Sequence, residues 1–303
     1  MKAYIGVTDK NWFELLSSYK SLEEVNFWRP SASNTFRVLD PGELFLFKLH
    51  SPHDFIVGGG FFVHYSPLPI TLAWEAFEKA NGANSLPEMR ERVGKYRREP
   101  VDPFDDYEIG CILLEKPFFL SRDKWIPVPA DWKSNIVSGR SYDFSLEPGL
   151  SLYRNLHAVL SESLTVAEEP ARYGEPIPVL PRLGQGTFRV LVTDVYQRQC
   201  AITRERTLPA LEAAHIKPYA IGGSHEIKNG ILFRKDYHAL FDKGYLTITS
   251  QLNLEVSRRI KEEFENGKEY YAHHGVKIFI PSESIYRPSI ENLQWHNENV
   301  FKG

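Results

Sequence analysis

The stretch LEAAHIKPYAIGGSHEIKNGILFRKDYHALFD, residues 211–242, constrains the fold more than any other part of this chain. Residues 209–216 read as a strand, and a loop containing Gly and Lys then runs to Asn229. Residues 230–234 (GILFR) form a short apolar strand bounded by Gly, and 235–242 have the spacing of a short helix. The order strand, loop, strand, helix brings the ends of its elements together. At those ends stand His215, Asn229 and His238, with 13 and 8 residues between them.

That set suits one kind of chemistry. A phosphodiester is a poor electrophile, so its hydrolysis needs an activated water and charge stabilisation on the phosphate. A histidine, whose unperturbed pKa is about 6.5, can take the proton of the water. A divalent cation can stabilise the phosphate and the departing oxygen. His215 is expected to end the first strand and His238 to open the helix behind it, while Asn229 holds the loop, orients the His215 backbone, or reaches the metal.

The residues resemble the HNH family of ββα-metal endonucleases, of the type assigned to restriction of modified DNA. The resemblance covers about residues 180–303 and rests on 184–189 (GQGTFR), 200–203 (CAIT), 213–216 (AAHI), 229–232 (NGIL), 238–242 (HALFD) and 293–296 (LQWH). It implies His215 as general base, Asn229 as positioning residue or ligand, and His238 as a ligand of one divalent ion, Mg²⁺, Mn²⁺ or Ni²⁺. Many HNH sites carry a metal-binding Asp or His just before the base, where this chain has Ala214. Asp242, one helical turn after His238 and on its face, is the expected replacement, with Glu212 as a weaker candidate. Other members hold a structural zinc through paired CxxC motifs; Cys200 is followed by Thr203 instead, so no structural zinc is expected.

A length of 303 residues predicts two domains. The division expected is an N-terminal domain over 1–145, a Pro-rich linker over 146–180 and the nuclease domain over 181–303. The linker is suggested by 161–186, with Pro170, Pro176, Pro178 and Pro181 and no apolar period. The net charge of −3 excludes a generally basic coat, but residues 180–261 carry 13 basic against 7 acidic side chains, as a phosphate-binding face would. Within it Lys217, Lys228, Arg234 and Lys235 are the expected backbone contacts. Two cysteines make no disulfide framework, and the N-terminus lacks the long apolar stretch of a secretory signal, so a cytoplasmic protein without membrane attachment is expected.

The first 145 residues read as mostly β with a few helices. Helical spacing is expected over 11–18, 72–80 and 86–98, and strands over 44–49, 55–57, 61–64 and 109–114. Gly58, Gly59 and Gly60 allow a bend or a close backbone approach. The order of 27–34 (FWRPSASN), 36–47 (FRVLDPGELFLF) and 56–59 (IVGG) reads as a polar and aromatic loop, a strand, a Pro-Gly turn and further strands. It resembles EVE and related PUA-like domains, small β-barrels that read modified bases. The fold class implied is α+β, a PUA/EVE-like β-barrel followed by a ββα-metal nuclease. A modified base is inspected after extrusion from the duplex. Trp28 would supply a ring face, Arg29, Ser31 and Asn34 donors and acceptors, and Tyr65 and Trp74 further walls.

Together these readings predict a modification-dependent, type IV-like restriction endonuclease acting on double-stranded DNA that carries a modified cytosine or similar base, in antiviral defence. One HNH centre cuts one strand at a time, so a homodimer is expected. Two alternatives stay open: a nonspecific or nicking HNH nuclease, and a nucleic-acid-binding module with an inactive nuclease fold, which Ala214 would allow.

Overall fold

The structure is a computed structural model and describes residues 2–33, 35–98, 102 and 104–164 together with 183–303, the side chains of 161–164 excepted. The chain divides into two compact units, Met1–Pro181 and Arg182–Gly303. Mixed helix and sheet throughout make it an α+β protein.

The first unit is built on strands β1 (Lys2–Thr8), β2 (Glu24–Arg29), β3 (Leu44–Leu49), β4 (Phe55–Pro69), β5 (Glu108–Phe119), β6 (Ile126–Pro127) and β7 (Gly139–Asp143). Its helices are α1 (Lys10–Ser17), α2 (Ile70–Phe77), α3 (Leu86–Lys95) and α4 (Gly149–Leu164). The sheet order is β2-β5-β4-β3-β1-β7, with β6 on β4. Among the described residues only β1 and β3 run parallel, and α1, the connection that leaves β1, carries Trp12, Phe13 and Leu16 into the core. Asp9 starts α1 by accepting the Trp12 N–H at 2.7 Å. An aromatic cluster of Trp12, Phe27, Phe45 and Phe47 fills this core at ring separations of 4.6–6.2 Å.

Several expectations need correction here. The barrel does not close: β2 and β7 end the strand order without pairing each other, and β7, five residues long, pairs only with β1. The glycines 58–60 make no bend; one strand of 15 residues runs through them. They permit close approach instead, since a Cβ at Gly58 would lie 2.3 Å from the Phe118 carbonyl oxygen and one at Gly59 2.7 Å from that of Phe45. The expected loop at 27–34 begins as strand, with Phe27–Arg29 paired to Gly110–Ile112, and the expected strand at 36–39 is irregular. Finally, the stretch 146–180, expected as a linker, is helical over Gly149–Leu164, where Leu152 and Leu156 bury themselves against Ala3, Ile5, Leu46 and Tyr142. Two apolar residues one turn apart can leave water only by docking, which holds this segment on the first unit. Residues 165–180 lie outside the described residues.

The second unit consists of α5 (Gln185–Val195), β8 (Leu211–His215), β9 (Gly230–Arg234), α6 (Lys235–Asp242), the antiparallel pair β10 (Leu246–Ile248) and β11 (Leu254–Val256), then α7 (Arg259–Phe264), α8 (Lys268–Tyr271) and α9 (Ile290–Asn299). β8 and β9 pair antiparallel with His215 opposite Gly230. α5 covers them: a Cβ at Gly230 would lie 2.4 Å from Val192 and 2.9 Å from Phe188. α6 packs through Tyr237 and Phe241, and α9 closes the unit with Leu293 and His296. Each unit has one buried thiol, Cys111 in the first and Cys200 in the second. Among the described residues no helix is long and apolar enough to cross a membrane.

Candidate active site

β8 delivers His215 as its last residue, and the register returns the chain to its side at Gly230 after the loop. The His215 ring stacks on Phe188 of α5, centroids 4.0 Å apart and planes 13° from parallel. Burial, assisted by the charges of His225, His238 and Arg189, lowers its pKa to about 4. The ring is therefore neutral at neutral pH, with a lone pair to offer. Its Nε2 lies 3.0 Å from Nδ1 of His225, a loop residue that itself stacks on Tyr219 at 4.4 Å and 8°.

His238, the fourth residue of α6, belongs to the same electrostatic neighbourhood as His215. Its Nδ1 lies 2.9 Å from Glu212 Oε2, and its Nε2 lies 3.2 Å from Asp242 Oδ2. Burial works against a charge on this ring, but the hydrogen bonds and charges of Asp242 and Glu212 prevail and raise its pKa. Asp242 sits one turn further along α6 with an exposed side chain, so its carboxylate faces both His238 and solvent. Ala214 is fully buried in the core of the unit, paired with Ile231.

Asn229 has a different place. It is fully buried and its amide is committed on both sides: Oδ1 accepts from the Lys217 N–H and from Asn292 Nδ2, while Nδ2 donates to the carbonyls of Lys217 and Ser224. It clamps the two ends of the loop; its oxygen is not presented to a cation. Among the described residues no three His, Cys, Asp or Glu side chains converge as a ready-made cage. His238 Nε2 and Asp242 Oδ2 offer two donors on one edge, which suits a hard divalent ion that keeps water and phosphate oxygens as its other ligands.

The four expected phosphate contacts fare differently. Lys235 is exposed at the start of α6, and Lys217 lies beside Trp295, its Nζ 5.5 Å from the ring centroid. Lys228 pairs with Glu226 at 2.8 Å on the surface. Arg234 is held by Asp236 at 2.7 Å and Glu269 at 3.0 Å, so its charge is already answered within the protein.

In the first unit a cavity of about 740 Å³ opens between the end of β1, β2 and the segments after β2, β3 and α3. Trp28, Arg29 and Ser31 line it, as expected from sequence; Tyr65 and Trp74 do not, because Tyr65 lies over Gly110 within the sheet and α2 contributes nothing to the wall. Asn34 lies outside the described residues. Sequence reading missed Asp9, His50, Tyr96 and Arg97. His50 and Tyr96 face each other with planes 3° from parallel and centroids 5.7 Å apart, and Tyr96 also approaches Trp28 at 6.2 Å. Burial first, then Lys48, lowers the His50 pKa, with Asp9 and Asp54 opposing. The Arg97 guanidinium bonds the Pro30 carbonyl and lies 4.3 Å from the Tyr107 ring centroid, fixing one rim. The missed residues come from three separate segments, and nothing local in the sequence joins them.

Comparison with known proteins agrees with the second unit. Residues 200–249 match the family described as HNH endonuclease, so the chain carries an HNH nuclease domain, an assignment of hydrolytic chemistry on DNA. HNH nucleases use a divalent metal ion. No curated protein matches the chain. Among solved structures, ASCH from Zymomonas mobilis aligns at 9% identity over 52% of this chain and 94% of its own, with a TM-score of 0.33. A mutant of that protein aligns at 10% identity over 53% and 98%, with a TM-score of 0.31. A structure named "Modification dependent TagI restriction endonuclease" aligns at 12% identity over 98% of this chain and 82% of its own, with a TM-score of 0.28.

Proposed function

We propose that the chain is a modification-dependent DNA endonuclease, in which His215 is the general base and His238 with Asp242 holds one divalent ion. The observation that carries this reading is that β8, which ends on His215, is joined through Glu212 at 2.9 Å to His238 of α6, itself 3.2 Å from Asp242. When bound, the ion neutralises charge on the phosphate and on the departing oxygen. His215, neutral through burial, takes the proton of the attacking water. Glu212 accepts a hydrogen bond from His238 Nδ1, which fixes the ring with Nε2 toward the cation. Asn229 holds the loop that frames the base. Lys235 and Lys217 guide the DNA backbone.

The cavity of the first unit supports the modification-dependent part. Aromatic faces at Trp28 and Tyr96, with polar groups at Asp9, Arg29 and Ser31, suit a flipped base, a modified cytosine by preference. Double-strand cleavage by one centre per chain would take two copies, so we assign a homodimer to the cutting species. The test is a plasmid cleavage panel carrying methylcytosine, hydroxymethylcytosine, glucosylated hydroxymethylcytosine, methyladenine or no modification, with Mg²⁺, Mn²⁺ or Ni²⁺. Cleavage of a cytosine-modified plasmid, abolished by His215→Ala, is expected. Equal cutting of unmodified DNA would leave a nonspecific nuclease, and no cutting under any condition would leave a binding module.

A further inference from the structure

An imidazole that serves as a base must have its proton on the other nitrogen. A neutral ring carries one N–H and one lone pair, and the hydrogen bond made by one nitrogen decides which is which. His215 Nε2 is bonded to His225 Nδ1 at 3.0 Å, so one proton lies between two nitrogens. If His225 were the donor, His215 would carry its own proton on Nδ1 and would have no lone pair left. If His215 is the donor, its Nδ1 lone pair is free. Among the described residues that Nδ1 makes no hydrogen bond.

His225 is also held where it is. Its ring lies flat on Tyr219, and the carbonyl of the preceding residue, Ser224, is bonded at 2.8 Å by the Asn229 amide. Phe188 holds the His215 ring by stacking and also lies 5.8 Å from the His225 ring. The chain of contacts from Asn229 through Ser224 and His225 ends on the base. It gives the clamp made by Asn229 a purpose beyond closing a loop.

We propose that His225 is a positioning residue, whose Nδ1 accepts the His215 Nε2–H and thereby reserves His215 Nδ1 for the proton of the attacking water. This rests on His215 being the base. During the step one O–H bond of water breaks and one N–H bond forms at His215 Nδ1, while the water oxygen's electron pair makes a new P–O bond; the P–O bond to the departing oxygen breaks, and that oxygen leaves with the bonding pair and takes a proton from solvent. His225 keeps the Nε2–H engaged throughout and stabilises the imidazolium.

The test compares His225→Asn with His225→Leu. Asparagine keeps an acceptor the same number of bonds from Cα as the histidine Nδ1; leucine has a similar reach and no acceptor. Two readouts are taken on the full chain: single-turnover plasmid cleavage, and the ring ¹⁵N shifts of His215, assigned by their loss in His215→Gln. The expected result is an Nε2–H tautomer of His215 in wild type and His225→Asn. His225→Leu is expected to show a mixed tautomer and cleavage slowed about 10–100-fold, with an unchanged urea midpoint. A wild-type His215 protonated on Nδ1, or a His225→Leu variant as fast as wild type, overturns the proposal. Intact cleavage by His215→Gln removes the base assignment instead, and the tautomer, which needs no cleavage to be read, still decides whether His225 orients the ring.

Discussion

At the scale of single residues, two histidines with the same direction of shift do different work. His215 has its pKa lowered to about 4 and, among the described residues, keeps one nitrogen without a hydrogen bond. His296 is also lowered to about 4, chiefly by burial, with the bond to the Phe241 carbonyl and the charge of Asp242 opposing. Both of its nitrogens are engaged, Nδ1 with the Thr247 hydroxyl at 2.8 Å and Nε2 with the Phe241 carbonyl at 3.2 Å, and its ring stacks on Phe241 at 3.8 Å. Its role is to pin α9 on α6. The unfolded chain binds a proton at this position below about pH 6.5, and the folded chain does so only near 4. Between those values the unfolded state holds more protons, so stability is fully present above the window and declines as pH falls through it, by up to about 1.4 kcal/mol per unit for this group. Urea unfolding at pH 7, 6 and 5 should show the decline, and His296→Gln should flatten it by about one proton while His215 preserves the remainder.

Among the elements, the close packing of α5 against β9 decides how firmly the base is seated. Gly230 leaves room for Val192 and Phe188, and Phe188 is the surface on which His215 rests. Gly230→Ala should push α5 outward, destabilising the second unit by about 1–3 kcal/mol, as overpacking does. Cleavage should slow more than thermal melting alone accounts for, because the His215 ring loses its support; paired melting and single-turnover measurements separate the two. The elements of this site were the most legible part of the chain. β9 and α6 begin and end where the apolar run 230–234 and the helical spacing of 235–242 place them. β2 was hidden because Asn26 is disfavoured in strands and Pro30, Ser31 and Ser33 follow directly. Asn81, 55 and 53 residues away, accepts from Asn26 Nδ2 through its side chain and from the Trp28 indole N–H through its carbonyl. The His225 contact was hidden for a similar reason: loop closure across the β8–β9 ladder puts residues ten apart in sequence ring to ring. Proline content drew attention away from the Leu152 and Leu156 spacing that marks α4 as docked.

At the scale of the whole molecule, the charge is divided as unevenly as the chemistry. Of 36 basic and 39 acidic side chains, 13 and 7 fall within residues 180–261, so the rest of the chain is distinctly acidic. The chain also divides into two compact units, and the placement of its thiols follows that division. Cys111 and Cys200 are both inaccessible, one within each unit, and there is no other sulfhydryl in the sequence. Each is a built-in reporter that stays silent until its own unit opens. A thiol-reactive dye applied in rising urea should record two separate modification rates, with Cys111→Ala erasing one and Cys200→Ala the other. The protein thus comes already labelled for asking whether filling the cavity of the first unit steadies the second.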